Sequence, residues 1–174
     1  MGTYAHFRID VVSADGKPLE PPKSASKFVH QCGVVVRDNV PISLQEWNKQ
    51  KNIEGDNYYV SIRTKNVLWE KLRAHLTLPV LDCPERTEAM MNKVKHWAMK
   101  KMAEQFNNWR NRLYRDWVEK KKAPDFTGTL ERQRAHWKAF LQYKDSELSQ
   151  QRSKTNKLNA AKKKYHHKLG EVAT

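Results

Sequence analysis

Cations, amides and indoles are interleaved through residues 94–117, VKHWAMKKMAEQFNNWRNRLYRDW. Trp97, Trp109, Tyr114 and Trp117 alternate with Lys100, Lys101, Arg110, Arg112 and Arg115, and Asn107, Asn108 and Asn111 sit among them. Lys and Arg side chains neutralise phosphates, while Arg can read guanine and Asn can read adenine through paired hydrogen bonds. This is chemistry for holding a polyanion.

Bond-making chemistry has a weaker claim. Phosphodiester transfer by metal ions needs two or three carboxylates converging on Mg²⁺, usually from strand ends. The acidic residues here, among them Glu85, Glu88, Glu104, Asp116 and Glu119, fall at helix ends or on polar faces. There is no GxxxxGK[ST] phosphate loop and no GxSxG nucleophile elbow. Cys83 with His75 or His96 lacks the third partner that would activate a thiol. Cys32 and Cys83 form no CxxC pair and read as reduced thiols of an intracellular protein. His166 and His167 read as solvated tail residues rather than metal ligands. The expectation is a protein that is not an enzyme, with no catalytic residues, no metal and no cofactor.

Charge supports a polyanion partner. The 174 residues carry 33 Lys and Arg against 19 Asp and Glu, a net charge of +14. Residues 1–60 balance at seven of each sign; residues 61–122 hold fifteen against seven, and residues 123–174 eleven against five. A neutral head with a basic body points to a polyanion, most often nucleic acid; the Arg and Asn pattern, which suits a major groove, makes duplex DNA the expected form. No apolar run nears the roughly 20 residues of a membrane span, so no membrane partner is expected.

The elements that would position these groups follow from periodicity. Val94, Ala98, Met102, Phe106, Trp109, Leu113 and Trp117 recur at steps of three or four, one side of a helix. No Pro or Gly interrupts residues 85–123, so a single helix of roughly 35 residues is expected, about 50 Å long, with a bend near Asn107-Asn108 or a break into two helices as the alternatives. Lys93, Lys100, Lys101 and Arg115 fall within a sector about 100° wide beside the apolar stripe. Upstream, Ala5, Phe7, Ile9 and Val11 alternate as a half-buried strand, Asp15-Gly16 makes a turn, and Pro18, Pro21 and Pro22 keep the chain extended. Residues 28–36, with Val34-Val35-Val36, read as a second strand that could form a hairpin with the first. Ser43-Leu44-Gln45-Glu46 fits a capping box before a short helix carrying Trp47. A helix marked by Val67, Leu68, Leu72 and Leu76 ends before Pro79. After a linker at residues 124–128, residues 129–143 are helical, and Ser146 caps a last helix through about Lys164 that is either exposed or ordered only on binding.

With these residues laid out, the chain resembles the plant transposase family of Ptta/En/Spm-type elements. The C-terminal run carries the most specific similarity: Trp137, Phe140, Tyr143-Lys144, Ser146-Glu147, Asn156, then Asn159-Ala160-Ala161-Lys162-Lys163-Lys164-Tyr165-His166-His167 and Gly170. Leu68-Trp69-Glu70, Leu76-Thr77-Leu78-Pro79 and Trp97-Ala98 with Lys100-Lys101-Met102 fit the middle, and Cys32-Gly33-Val34-Val35-Val36-Arg37 with Pro41-Ile42-Ser43 and Trp47 the upstream part. The resemblance implies a transposon-derived nuclear plant protein that binds DNA. It supplies no acidic triad at these positions.

The expected architecture is mainly α: a helical domain around one long Trp-rich helix, with a small N-terminal β-hairpin and a basic C-terminal helix. Residues 1–60 would form a small α/β part, 61–123 the helical core, and 124–174 a linker with basic helices. The expected function is a non-catalytic DNA-binding domain. Its DNA-binding residues would be Lys93, Lys100, Lys101, Asn107, Asn108, Arg110, Asn111, Arg112, Arg115, Lys120, Lys121, Lys122, Lys162, Lys163 and Lys164. The rivals are a helical module that pairs with a second copy or another protein through its aromatic stripe, and a fragment of an active transposase.

Overall fold

Apolar residues at helical spacing decide most of the architecture. The computed structural model describes residues 6–169, and the side chains of these except 147, 148 and 164–169. The chain is mainly α, with the long helix as its spine. In order it forms β1 (Phe7–Arg8), β2 (Val11–Val12), β3 (Pro18–Glu20), α1 (Pro22–Asn39), α2 (Ile62–Arg73), β4 (Leu76–Thr77) and α3 (Pro84–Leu113). A five-residue π segment (Tyr114–Val118), a 3₁₀ segment (Gly128–His136), α4 (Trp137–Asp145) and α5 (Glu147–Leu169) complete it.

The expected stripe holds. Val94, Ala98, Met102, Phe106, Trp109 and Leu113 are all buried, and α3 runs unbroken through Asn107-Asn108. Its start has Pro84 in the first turn, where the missing N–H costs no helix bond, and Glu85 faces the positive pole of the helix dipole. The ladder changes at Tyr114, where bonds such as Glu119 N–H to Tyr114 C=O (2.9 Å) span five residues. A five-residue ladder turns less per residue than an α-helix. Trp117, the last residue of the expected stripe, lies within this segment and is only half-buried.

Residues 28–36, read as a strand from their valine run, lie inside α1. Phe28, Cys32, Val35 and Val36 face the core at helical steps, and burial against α3 outweighs the strand preference of β-branched residues. Pro22 begins this helix instead of extending the chain, since its fixed φ suits the first turn. The Phe28 ring lies 5.8 Å from that of Trp97, a Cβ at Gly33 would touch Gln105, and Arg37 sits within charge range of Arg112. These contacts advance together, so α1 and α3 run in the same direction.

The hairpin is present at other residues than expected. β2 pairs antiparallel with β3, Val11 opposite Glu20, around the Asp15-Gly16 turn. β1 pairs instead with β4, in parallel, Phe7 opposite Leu76. Of the alternating set, Phe7 and Ile9 are buried and Val11 is exposed; Ala5 lies outside the described residues. Gly16 (φ 91°) presses on α3, where an added Cβ would stand 2.2 Å from the Lys93 carbonyl oxygen.

The capping box at residues 43–46 starts no helix. Gln45 N–H and Glu46 N–H both donate to Tyr58 C=O, and Val60 N–H returns a bond to Glu46 C=O (3.0 Å), so this backbone is committed to the segment at 58–60. Trp47 is still buried, 6.0 Å from the Phe106 ring. The helix expected from Val67 begins earlier, at Ile62, where the Ser61 hydroxyl accepts from Thr64 N–H (3.1 Å). The helix expected over residues 129–143 is divided, 3₁₀ through His136 and α4 from Trp137. One core cluster draws on Ile42 and Val60, on the α3 stripe and on Phe140 of α4, so all three stretches of the chain contribute to it.

Candidate nucleic-acid interface

Burying one side of α3 forces the other into solvent. Lys93, Lys100, Asn107, Asn108, Asn111, Arg112 and Arg115 are all exposed. At about 100° per residue, Lys93, Lys100, Asn107, Asn111 and Arg115 share one side, directly opposite the apolar stripe. From Lys93 to Arg115 this face runs about 33 Å at 1.5 Å per residue, close to one turn of duplex DNA, roughly 34 Å. The four cations Lys93, Lys100, Arg112 and Arg115 are in no ion pair among the described residues. Lys120, Lys121 and Lys122 extend the charge beyond the π segment; all three are exposed and unpaired in the same sense, and Lys121 turns the chain with φ 55°.

Two of the expected contacts are held differently. Lys101 is half-buried, forms an ion pair with Glu104 (2.7 Å) and lies 5.6 Å from the Trp97 ring centroid. Its charge is partly neutralised on its own helix. Arg110 is a correction: it is 4% exposed and is a core residue, not a phosphate contact. Its Nε donates to Ile42 C=O (3.1 Å) and its Nη1 to Gln45 C=O (3.0 Å). The guanidinium carbon lies 5.1 Å from the Phe106 centroid, 5.3 Å from Tyr143 and 5.6 Å from Phe140. Burial, with no carboxylate beside it, draws its pKa down to about 10. A guanidinium can serve this way because it offers a flat apolar face to rings and a fork of donors at its edge. What it satisfies is the irregular backbone that replaced the expected short helix.

Gln133 does the companion task. Its Oε1 accepts from Ile42 N–H (3.0 Å), and its Nε2 donates to Arg37 C=O (3.3 Å) and Val40 C=O (3.2 Å). It thereby completes the open carbonyls at the end of α1. The α1 end also contributes a charge the sequence reading missed. Arg37 is half-buried beside Arg112, and its pKa is lowered chiefly by burial, against the pull of Asp38. A strand over residues 28–36 would give Arg37 no place beside α3; the helix does. Lys144 forms the floor of a neighbouring cluster, 5.5 Å from the Tyr114 centroid and 5.8 Å from Phe140. Burial first and the Arg110 charge second lower its pKa to about 8.

At the C-terminal end, Lys162 and Lys163 are exposed on α5. The side chains of Lys164, His166 and His167 lie outside the described residues. Of the thiols, Cys32 is buried and pushed up to about 12 by desolvation. Cys83 donates to Glu85 (2.7 Å). Among the described residues no three of His, Cys, Asp and Glu gather as a metal-binding group, and no helix is long and apolar enough to cross a membrane.

No protein-family model, curated protein or solved structure matches this chain.

Proposed function

We propose that this chain is a non-catalytic DNA-binding domain of a plant transposon-derived protein, acting in the nucleus and holding duplex DNA through the exposed face of α3. The observation that carries the proposal is a set of exposed cations without carboxylate partners among the described residues: Lys93, Lys100 and Arg115 opposite the buried stripe, and Arg112 at its flank beside Arg37. Lys120, Lys121 and Lys122 lengthen that surface, and Asn107, Asn108 and Asn111 place amides between the charges. Plant and transposon origin rest on the resemblance of residues 24–170 to the Ptta/En/Spm transposase family.

The test is affinity for a 30-base-pair duplex as a function of salt. Each phosphate neutralised should contribute about 0.9 to the negative slope of log K against log salt. Replacing Lys93, Lys100, Arg112 and Arg115 together by Ala should shallow the slope by about 3.6. Affinity that ignores salt, or a slope untouched by these four changes, rules the proposal out.

A second reading, a protein-interaction module, is favoured by a different surface from the one expected. The aromatic stripe of α3 is consumed by the chain's own core. The outer side of α2, by contrast, exposes Ile62 (75%) and Val67 (45%) along a shallow groove that ends at Ala74. A light-scattering mass of twice the monomer, lost on Ile62→Ser and indifferent to DNA, is the result that would select it.

A further inference from the structure

We infer that α5 is a base-reading element that lies in the major groove of duplex DNA, with Asn156 and Asn159 presenting their amides to base edges. The inference rests on the proposal that the chain binds duplex DNA.

A helix that belongs to a folded core hides one side. In α5 the eleven residues 153–163 are all exposed. Among the described residues, only the beginning of the helix touches the body. Ser146 accepts from Ser149 N–H (3.4 Å) and donates to Tyr143 C=O (2.6 Å), and Arg152 pairs with Glu46. From residue 153 to 163 α5 stands free, and an isolated helix with so little to bury is marginal in water.

The composition of the free part selects its partner. Residues 153–163 contain four cations, Lys154, Lys157, Lys162 and Lys163, and no Asp or Glu. A partner helix would need an apolar stripe to pack on; the free part offers Leu158, 64% exposed, and two alanines. A polyanion needs only charge, which is present on every side.

The arrangement of amides then favours the groove over the backbone alone. At about 100° per residue, Thr155, Asn156, Asn159, Lys162 and Lys163 share a sector about 120° wide. Asn159 is at its centre, with Thr155 and Asn156 one turn before and the two lysines one turn after. The major groove, roughly 12 Å wide, admits an α-helix, and an Asn amide offers the donor and acceptor that match adenine. Lysines on either side can reach guanine edges or the flanking phosphates.

The experiment selects bound sequences from a random duplex pool at about 150 mM salt, with the full chain and with Asn156→Ala/Asn159→Ala. The full chain is expected to prefer particular base pairs at one or two neighbouring positions. The variant should lose about ten-fold of that discrimination, in line with one good paired contact, while its salt slope stays the same. Ala is the better helix former at both positions, so matched thermal unfolding is expected and loss of α5 cannot explain the result. Equal discrimination by variant and parent overturns the inference, as does a parent with salt-dependent binding but no base preference. Competition by duplex RNA as strong as by duplex DNA also overturns it, because the A-form major groove is too narrow for a helix. Failure of the parent to bind duplex DNA at all removes this inference together with the reading beneath it; the other outcomes leave that reading standing.

Discussion

Arg110 and Arg112 are two residues apart, and the fold gives them opposite tasks, which makes their replacement the sharpest test of the assignment. Arg110→Met keeps a long unbranched side chain but removes both bonds to the Ile42 and Gln45 carbonyls. Each carbonyl left unsatisfied in the interior costs about 1–3 kcal/mol, so roughly 2–6 kcal/mol together. An opposing term exists. The depressed pKa of Arg110, about 10, means the buried charge itself disfavours the fold by about 3 kcal/mol, which Met relieves. Stacking against Phe106, Phe140 and Tyr143 is lost as cation–π attraction, about 1 kcal/mol, but largely kept as apolar contact. The expected balance is a loss of about 1–3 kcal/mol, read from the urea midpoint at unchanged slope. Arg112→Ala, on the exposed face, should change stability by less than about 0.5 kcal/mol yet lower the DNA salt slope by about 0.9. The assignment fails if Arg110→Met leaves the urea midpoint where it was, or if it reduces the salt slope of the folded protein as Arg112→Ala does.

Gln133→Leu should cost about 2–4 kcal/mol in urea unfolding, because an apolar side chain of similar size leaves Ile42 N–H and the Arg37 and Val40 carbonyls without their shared partner; a change under about 0.5 kcal/mol contradicts its role at the end of α1. Gly16→Ala should lower the thermal midpoint by several degrees, about 2 kcal/mol or more, since both φ 91° and the 2.2 Å approach to Lys93 C=O oppose a Cβ; an unchanged midpoint would show that the hairpin does not seat on α3. Lys144 predicts a pH effect. Its folded pKa of about 8 lies below its ordinary value, so between about pH 8 and 10 the unfolded chain binds more protons and stability rises with pH. After allowance for the solvent-exposed part of the side chain, the gain is about 1–2 kcal/mol. Lys144→Met should raise stability at pH 7 and flatten that rise, checked by urea midpoints across pH 7–10; a variant as pH-dependent as its parent refutes it.

The long helix was legible because its evidence is local. Seven apolar residues at steps of three and four, no Pro or Gly, and an acidic start all lie within one segment and agree. The same local rule was available for α1, where Phe28, Cys32, Val35 and Val36 keep helical spacing, but three consecutive valines also satisfy a strand. What decides between the two is the α3 surface on the other side of Gly33, and that surface is some seventy residues away in the chain. The parallel pairing of Phe7 with Leu76 has no local signature for the same reason. Ser43 to Glu46 carries a correct capping pattern, and the pattern loses because Tyr58 and Arg110 bind that backbone first.

The candidate site divides along the same line. Whether a cation on α3 is available to a ligand depends on its angle from the buried stripe and on what the rest of the chain brings to that angle. Arg110 stands about 40° past Phe106 on the helix, an edge position where a charge ordinarily reaches solvent by extending its stem. It is enclosed because the 42–45 backbone and the Tyr143 ring arrive over it from distant segments. Lys93, Lys100 and Arg115 lie near the far pole of the helix and are exposed, even where the Gly16 turn meets the Lys93 backbone, so periodicity suffices to place these side chains in solvent. With Arg110 buried and Lys101 paired to Glu104, the remaining exposed charges are separated: Lys93 and Lys100 lie toward one end, and Arg112, Arg115 and Lys120–Lys122 toward the other, with Asn107, Asn108 and Asn111 between. Two charged ends about one duplex turn apart with amides between them are suited to contacts on successive phosphate crossings, whereas a single central cluster would favour one phosphate group. A partner with regularly spaced phosphates is therefore a better match to this face than a compact anion.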